Sequence, residues 1–433
     1  MPLPKWINRK TVSYALYDWG NSAFATTVMA GFFPVFFKQF WSVGSDATLS
    51  TARLGFTNAA AGLIIALLAP ILGAISDRGI HKRHFLLFFT LLGAGFSCAL
   101  FFIGEGNWQL AVFIYMLGTI GFIGSNLFYD SLLVDIAPPA QRELVSAFAY
   151  SAGYLGGGLL FALNVAMTLN PSFFGLSGPS QAVQLSFLSV ALWWIIFGLP
   201  IQFSDNNKKN NQRFEMVLVR DAFRQLTRTF KDIRKYRPIL IFLLAYWLYI
   251  DGVYTIIKMA VDYGLSLGFH SSALITALLI TQFVGFPAAL FFGWLSSRIG
   301  AVRSIRIAII VYLCVTLYAA FMQTEFEFYI MAVTIGLVQG GVQALSRATF
   351  SNMIPPEKSA EFFGFYNMVG KFAAILGPAL IAITGLVAHS AGLAETTATR
   401  LGISSIAIMF IGGWLLLGVA GKYIPSTKKR GET

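Results

Sequence analysis

Apolar stretches long enough to cross a membrane recur along nearly the whole chain. A helix rises about 1.5 Å per residue, so about 20 apolar residues span the roughly 30 Å hydrocarbon core of a bilayer. Twelve such stretches are predicted, at 12–41, 54–76, 85–104, 108–134, 144–168, 183–203, 239–266, 272–297, 304–323, 328–352, 362–388 and 398–421. The sequence therefore predicts an all-α membrane protein with 12 transmembrane helices.

The composition agrees with lipid as the solvent of this chain. Of its 433 residues, 56% are hydrophobic and only 12% are charged, which is far too apolar for a soluble protein of this length. The first stretch is too long for a secretory signal and lacks a small-residue cleavage site, so we expect it to remain as the first transmembrane helix.

The net charge of +12 follows membrane topology rather than a nucleic-acid surface, because the cations do not cluster with exposed aromatics in a polar domain. If both termini are cytoplasmic, 25 of the 31 Lys and Arg residues lie on the cytoplasmic side. Only Lys38, Arg53 and Arg400 lie near the opposite side. The positive-inside rule thus predicts a multi-pass protein of a bacterial inner (plasma) membrane, with both termini cytoplasmic.

Three segments in the first part of the chain have counterparts roughly half a chain later, at an offset of 217 to 220 residues for the two clearest pairs. The matched segments are 73–79 with 293–299, 134–139 with 351–356 and, more weakly, 14–18 with 246–251. Internal repeats of this kind are typical of secondary transporters. They predict two pseudo-symmetric six-helix bundles.

The duplication divides the chain into an N-terminal bundle at 1–203 and a C-terminal bundle with a short basic tail at 239–433. Between them, 204–238 is a basic cytoplasmic linker in which apolar residues recur at spacings of three and four, as in an amphipathic helix. This helix either lies on the anionic lipid surface or packs on the bundle.

Ionisable residues inside the apolar stretches are rare and concentrate in equivalent helices. A charge inside a bilayer is costly, so it normally faces a cavity or a partner and is a functional candidate. The first, fourth, seventh, tenth and eleventh stretches carry polar faces with helical spacing. Their candidate substrate-binding or proton-coupling residues are Asp18, Asn21, Asn126, Asp130, Asp251, Lys258, Gln343, Arg347, Asn367 and Lys371.

Carboxylates and cations in one cavity suit a zwitterionic or anionic solute, with Arg347 or Lys371 attracting a carboxylate. A membrane-embedded Asp can also exchange protons and so couple transport to a proton gradient. The alternative is structural: Asp251 pairs with Lys258, or Asp130 with Arg347, as buried ion pairs that fix helix packing or a gate.

A second group of charges lies in the turns at the predicted cytoplasmic ends. We expect Asp77, Arg78, Asp135, Arg142 and Arg298 to form a cytoplasmic gate of state-dependent salt bridges. Positive-inside anchoring and helix capping are the alternatives for these residues.

Enzyme and metal signatures are missing from the sequence. The four His residues are not grouped as metal ligands, no phosphate-cradling Gly-Lys-Ser/Thr loop exists, and both Cys residues lie inside apolar stretches. We therefore expect no enzyme activity, no metal, no cofactor and no disulfide.

Two motifs resemble a known family. Two six-helix halves, the basic linker and the Gly-x-x-x-Asp-Arg turn at 73–78 resemble the major facilitator superfamily. Within it, Tyr-Ala-Leu-Tyr-Asp-Trp-Gly-Asn-Ser at 14–22 and Phe-Phe-Pro-Val-Phe-Phe at 32–37 resemble the vacuole-effluxer-like branch, named for fungal vacuolar amino-acid effluxers linked to autophagy. Gly20 replaces the family's usual Ala, and Ser297 replaces the Asp of the repeated turn.

The resemblance implies alternating access, with amino acids or small peptides carried at the interface of the halves. We expect a secondary active transporter that works as a monomer and moves amino acids or similar zwitterions by proton-linked alternating access. Its partners are the lipid bilayer, a small-molecule substrate and protons, without nucleic acid. The alternatives are a carrier of siderophores or cell-wall peptides and a non-transporting receptor or scaffold.

Overall fold

The computed structural model describes residues 4, 6–44, 47–78, 82–204, 236–266 and 268–424. Side chains are described for these residues except 47–49, 51–52, 78, 258–259, 261–262, 265–266, 271, 371–375, 389, 395–396 and 399. The predicted amphipathic helix of the linker therefore lies outside the described residues. So do the side chains of three predicted functional residues, Arg78, Lys258 and Lys371.

The described residues form helices and no strand. Their bounds are α1 Arg9–Trp41, α2 Ala47–Arg78, α3 Lys82–Leu100, α4 Trp108–Ile136, α5 Arg142–Leu169, α6 Pro179–Gly198, α7 Arg237–Ser266, α8 Ser271–Ile299, α9 Ala301–Ala319, α10 Glu325–Met353, α11 Ser359–Ser390, α12 Glu395–Ser404 and α13 Ala407–Ala420. By length and composition, 11 helical spans can cross a membrane, and α11 adds the shorter apolar stretch Leu376–Ala388. The predicted all-α membrane fold is confirmed.

Helix α1 departs from a regular α-helix. After Arg9–Ala23 it widens into a π-helix at Phe24–Phe32 and again at Phe37–Trp41. The first wide segment ends just before Pro34, and the N–H of Phe33 bonds the carbonyl of Val28 five residues back. Proline lacks an N–H and its ring crowds the preceding turn, which a wider turn accommodates.

The last predicted span, 398–421, is two helices rather than one. Helix α12 ends at Ser404 and α13 begins at Ala407. The hydroxyls of Ser404 and Ser405 donate to the carbonyls of Arg400 and Gly402. Serine hydroxyls that bond to the preceding turn bend helices, which accounts for the break at this point.

The chain folds into two compact units that are not contiguous in sequence. Unit 1 comprises Met1–Ala137, Ala152–Leu226 and Pro356–Phe365, and unit 2 comprises Pro138–Ser151, Thr227–Pro355 and Tyr366–Thr433. In unit 1, α3 packs against α4 and α6, and α1 packs against α6. In unit 2, α8 packs against α10, and α7 and α9 both pack against α13.

Helices α5 and α11 each contribute to both units. The start of α5 belongs to unit 2, and the start of α11 belongs to unit 1. The sequence-based halves at 1–203 and 239–433 do not include this exchange, and their boundaries remain a prediction.

Glycines allow close packing at both exchanged segments. Within unit 1, a Cβ on Gly73 of α2 would overlap the backbone of Ala360 at the start of α11. Within unit 2, a Cβ on Gly293 of α8 would lie 2.6 Å from the Cβ of Ala147 in α5. The glycine that opens each copy of the repeated turn thus lets another helix approach closely.

Candidate functional site

The carboxylate of Asp18 lies buried in α1, with 8% of the residue exposed. The Tyr129 hydroxyl lies 3.2 Å from Asp18 Oδ2 and 3.0 Å from the carbonyl oxygen of Tyr14. The Ser22 hydroxyl, one turn after the carboxylate, donates to Asp18 Oδ1 at 3.3 Å. Gly153 of α5 covers this pair, since a Cβ there would lie 2.5 Å from Ser22 Oγ and 3.1 Å from Asp18 Oδ1. Hydroxyl donors and a glycine backbone therefore surround the carboxylate.

Asp251 occupies the corresponding place in α7 and is fully buried. The Thr255 hydroxyl, again one turn later, donates to Asp251 Oδ1 at 3.2 Å. The backbone N–H of Gly377 in α11 donates to the same oxygen at 3.0 Å. A Cβ on Gly377 would overlap Thr255 Oγ1, and Pro378 follows it inside the helix. The carboxylate is thus tied to the backbone of α11 beside a proline.

Both carboxylates share one arrangement: an Asp in α1 or α7, a hydroxyl residue four positions later, and a glycine from α5 or α11 packed on the pair. The hydroxyl residues Ser22 and Thr255 satisfy polar atoms that would be costly to bury alone. The duplication therefore extends from the sequence motif to the surroundings of the carboxylate.

Tyrosines before each Asp also correspond. The Tyr17 hydroxyl shares a 2.7 Å hydrogen bond with Thr90, and the Tyr249 hydroxyl shares one of the same length with Ser346. These bonds hold the turn before each carboxylate against a neighbouring helix. The tyrosines are fully buried and form a wall rather than an open surface.

Other predicted site residues divide between the units. In unit 1, the Asn21 amide donates to Asn126 Oδ1 at 2.8 Å, which joins the polar faces of α1 and α4. Asp130 lies buried one turn after Asn126. In unit 2, Gln343 on α10 and Asn367 on α11 are partly buried. The structure thus brings Asp18, Asn21 and Asn126 into one unit and places Asp251 in the other.

Arg347 is engaged within unit 2 and only 2% exposed. Its Nε donates to Ser146 Oγ at 2.9 Å and its Nη2 to the Ser146 carbonyl at 3.2 Å. The guanidinium carbon lies 4.3 Å from the centre of the Tyr150 ring. Because Ser146 and Tyr150 belong to the start of α5, Arg347 joins α5 to α10. These contacts serve helix packing, and both the substrate role of Arg347 and its pairing with Asp130 remain predictions.

Among the predicted gate residues, Asp77 caps the start of α11 within unit 1. Its Oδ1 accepts the N–H of Ala360 at 3.0 Å, and its Oδ2 accepts that of Glu361 at 2.7 Å. A carboxylate at a helix N-terminus interacts favourably with the exposed N–H groups and the helix dipole. Asp77, at the end of α2, thus binds the start of α11. Gly73, one turn earlier in α2, allows the backbone of α11 to approach closely.

Asp135 reaches the same helix start through a lysine. Lys82 Nζ lies 2.6 Å from Asp135 Oδ2 and 2.6 Å from Ser359 Oγ. The ammonium group therefore bridges the end of α4 and the start of α11.

Arg142 performs a related task within unit 2. Arg142 is only 5% exposed. Its Nη1 donates to the Ser351 carbonyl at 2.7 Å and to Asn352 Oδ1 at 3.2 Å. A cation at the C-terminal end of α10 complements the helix dipole. Arg298 is separate from this contact: it is exposed, and its guanidinium lies 5.6 Å from the Trp294 ring of its own helix.

Sequence reasoning did not identify several of these partners. Thr255 could have been found, because it follows its Asp by four residues as Ser22 does. Ser146 carries no such signal, since an isolated serine in an apolar helix most often bonds its own backbone.

Comparison with known proteins places this fold in a family. The family described as vacuole effluxer Atg22 like matches residues 48–419. The uncharacterized MFS-type transporter YxiO of Bacillus subtilis is 39% identical over 419 residues, which cover 95% of each chain. Autophagy-related protein 22 of Saccharomyces cerevisiae is 25% identical over 358 residues, covering 72% of this chain but only 64% of the yeast protein.

Solved structures of similar fold are membrane transporters. The human organic anion transporter MFSD10 aligns with a TM-score of 0.68 at 15% identity, covering 96% of this chain and 100% of that one. The proton:xylose symporter XylE aligns with a TM-score of 0.64 at 13% identity, covering 97% and 95%. At such identities the likeness shows the fold alone. Together with the family match, it establishes that this multi-pass membrane protein, a transporter and not an enzyme, belongs to the vacuole effluxer Atg22-like family of the major facilitator superfamily.

Proposed function

We propose that this chain is a proton-linked secondary transporter of amino acids or similar small zwitterions, working by alternating access in a bacterial inner membrane with both termini cytoplasmic. The observation that carries the proposal is the pair of buried carboxylates, Asp18 and Asp251, in equivalent helices and equivalent surroundings. Ionisable groups are costly inside a membrane protein and are retained there for ion pathways and substrate contacts.

The surroundings of Asp18 suit a group that gains and loses a proton. Tyr129 has one hydroxyl proton but two acceptors within reach, the Tyr14 carbonyl and Asp18 Oδ2. When Asp18 is ionised, Tyr129 can donate to it. When Asp18 is protonated, the carboxyl can donate to the Tyr129 oxygen while Tyr129 donates to Tyr14, because a phenol both donates and accepts. Neither state leaves the tyrosine hydroxyl unsatisfied.

Asp251 is held differently, which suggests a different task. Its Oδ1 accepts a backbone N–H from Gly377, and a backbone N–H donates but never accepts. This oxygen is therefore fixed as an acceptor in both protonation states. The contact also joins α7 to α11 beside Pro378, where the helix has fewer backbone bonds to resist bending. Asp251 is therefore suited to linking the binding of substrate or a proton to bending of α11 at Pro378.

An amino-acid substrate is what the resemblance to fungal vacuolar amino-acid effluxers implies, and the mixture of carboxylates and cations in the polar helices supports it. A zwitterion offers an amine to a carboxylate and a carboxylate to a cation, so both charges of the solute find partners. A siderophore or peptide carrier would require the same proton coupling but a different cargo.

Flux measurements in proteoliposomes test this proposal. The purified protein should move labelled amino acids when a pH gradient is imposed, and a protonophore should abolish that movement. We expect Asp18→Asn to lose gradient-driven flux while retaining exchange of labelled for unlabelled substrate, because exchange needs no net proton movement. Glu105→Gln is the matched control, since it neutralises an exposed carboxylate in the loop after α3.

Two results would contradict the proposal. One is amino-acid flux that is insensitive to the pH gradient in the unmodified protein. The other is gradient-driven flux that survives in both Asp18→Asn and Asp251→Asn. If peptides or siderophores move instead of amino acids under the gradient, the coupling stands and the cargo is wrong.

A further inference from the structure

A partly buried arginine lies between α9 and α13, two helices that pack together within unit 2. The guanidinium carbon of Arg306 lies 3.7 Å from the centre of the Trp414 ring. Gly418, one turn after Trp414, lies beside this stack: a Cβ there would be in van der Waals contact with the guanidinium carbon, at 3.5 Å. Arg306 Nε is shielded from solvent and has no hydrogen-bond partner among the described residues. The stack thus holds a cation with at least one donor that the described residues leave unbonded.

This cation lies between one and two helical turns inside the ends of both helices, where we expect the inner edge of the lipid headgroup layer. Arg306 follows the start of α9 at Ala301 by five residues, or about 7.5 Å of helix, and Trp414 precedes the end of α13 at Ala420 by six, or about 9 Å. The polar headgroup layer is about 5–8 Å thick on each side of the hydrocarbon core. Tryptophan favours this layer, and arginine extends toward it from slightly deeper positions.

Two further cations lie at the same end of these helices. Arg303 is exposed and lies one turn before Arg306 on α9, while Lys422 is exposed and lies two residues after the end of α13 at Ala420. No Asp or Glu occurs in 301–324 or in 396–431, so neither helix supplies an opposing charge. The three cations therefore create a local positive potential that an anion can neutralise.

Apolar side chains continue from these cations toward the membrane centre. On α9, exposed apolar residues follow Arg303 at spacings of four and three. On α13, a similar stripe of exposed apolar residues runs toward Lys422, which lies just after the helix. These side chains are Ile307 and Ile310 on α9 and Ile411, Leu415 and Val419 on α13. An amphipathic ligand with an anionic head and long acyl chains matches both parts of this surface, whereas a soluble anion matches only the cations.

We propose that the groove between α9 and α13 binds an anionic phospholipid, with Arg306 on its phosphate, Arg303 and Lys422 beside the headgroup, and the exposed apolar stripes along its acyl chains. Arginine is suited to phosphate because its planar fork offers paired donors, and stacking on Trp414 fixes the plane of that fork. The site lies on the lipid-facing surface and is separate from the proposed coupling carboxylates.

Native mass spectrometry of the purified protein tests this site. The protein is mixed with equal amounts of phosphatidylglycerol and phosphatidylcholine, and the bound lipids are counted. We expect the unmodified protein to favour phosphatidylglycerol, and Arg306→Gln to lower that preference about fivefold, the effect expected for one cation near an anionic lipid surface. Because Arg306→Gln also removes the Trp414 stack, Arg303→Gln with Lys422→Gln provides a second variant that removes only exposed charges and should lower the preference as well.

The matched control is Arg53→Gln. Arg53 lies 3.6 Å from the centre of the Trp108 ring in unit 1, but its Nη1 already donates to Ser42 Oγ at 3.3 Å. This variant should retain the full lipid preference. The proposal fails if the unmodified protein shows no preference, if both α9–α13 variants keep it, or if Arg53→Gln lowers it equally. It also fails if inorganic phosphate raises the melting temperature as much as phosphatidylglycerol does, since the acyl chains would then contribute nothing.

Discussion

Adding one methyl group at Gly377 should separate α11 from the carboxylate that it contacts. In Gly377→Ala, the new Cβ would overlap Thr255 Oγ1 and lie 2.9 Å from Asp251 Oδ1. Either the Thr255 side chain rotates away and loses its bond to Asp251, or α11 moves and withdraws the Gly377 N–H from the same oxygen. Both responses weaken the surroundings of a fully buried carboxylate.

The size of the effect follows from these contacts. Inserting a methyl group into a packed interior costs about 1–3 kcal/mol, and losing a hydrogen bond costs about 0.5–1.5 kcal/mol. Replacing Gly by Ala inside a helix returns about 0.5–1 kcal/mol. We therefore expect Gly377→Ala to lower the free energy of unfolding by about 2 kcal/mol, which for a chain of this length is about 2 °C in apparent melting temperature.

Tryptophan fluorescence during heating in detergent measures this shift. Gly385→Ala is the matched control on the same helix, because the nearest atom to its new Cβ is the Ala398 carbonyl oxygen at 3.8 Å. We expect no loss in the control. Thr255→Ala removes the hydroxyl that the new Cβ overlaps. In that background, Gly377→Ala should reduce the free energy of unfolding by about 1 kcal/mol less than it does in the unmodified protein. A cost unchanged in that background, or a Gly377→Ala protein as stable as its parent, would refute the reasoning.

Two further substitutions test the helix contacts by the same melting measurement. Gly73→Ala should lower the melting temperature by about 1–3 °C, because its Cβ overlaps the backbone of Ala360, which cannot rotate away. Gly95→Ala is the control, because no atom lies within 4 Å of its new Cβ, and it should not lower the melting temperature. Equal melting temperatures of the two variants would show that the contact between Gly73 and Ala360 is loose. Arg347→Lys should lower the free energy of unfolding by about 1–2 kcal/mol, because an ammonium group cannot reproduce both guanidinium bonds to Ser146. This loss should be smaller in a Ser146→Ala background. An equal cost in both backgrounds would place the effect elsewhere.

The transmembrane helices were predictable because their signal is local. Helix α4 was predicted at 108–134 and spans Trp108–Ile136, and α10 was predicted at 328–352 and spans Glu325–Met353. Lipid requires a continuous apolar run of known length, and the proline pairs that begin at Pro138 and Pro355 stop both helices. Asp18 and Asp251 were predictable as candidates for the same reason, since an ionisable residue is conspicuous in an apolar run.

The partners that come from other helices were not predictable from composition or spacing. Asp251 is bound by the backbone N–H of Gly377, a donor that every residue except proline has and that no sequence pattern marks. Arg347 is bound by Ser146, 201 residues away in the chain. The π-helical turns of α1 are likewise hidden, because a widened turn changes the backbone bonding without changing the apolar pattern around Pro34.

The ends of α4 and α10, which are the two copies of the 134–139 and 351–356 repeat, contact neighbouring helices through different charges. The 217-residue offset pairs Asp135 with Asn352 and Arg142 with Ser359. In unit 1, the acid lies at the end of α4, and Lys82 bridges it to Ser359. In unit 2, the cation lies on α5 itself: Arg142 contacts Asn352 and also the Ser351 carbonyl. The carbonyl end of a helix carries a partial negative charge, so this cation needs no acid at position 352. Unit 1 also has a carboxylate at a helix start, Asp77, whose counterpart in the other repeat is Ser297. In unit 2, the described contact to a helix dipole is made by an arginine at a helix end.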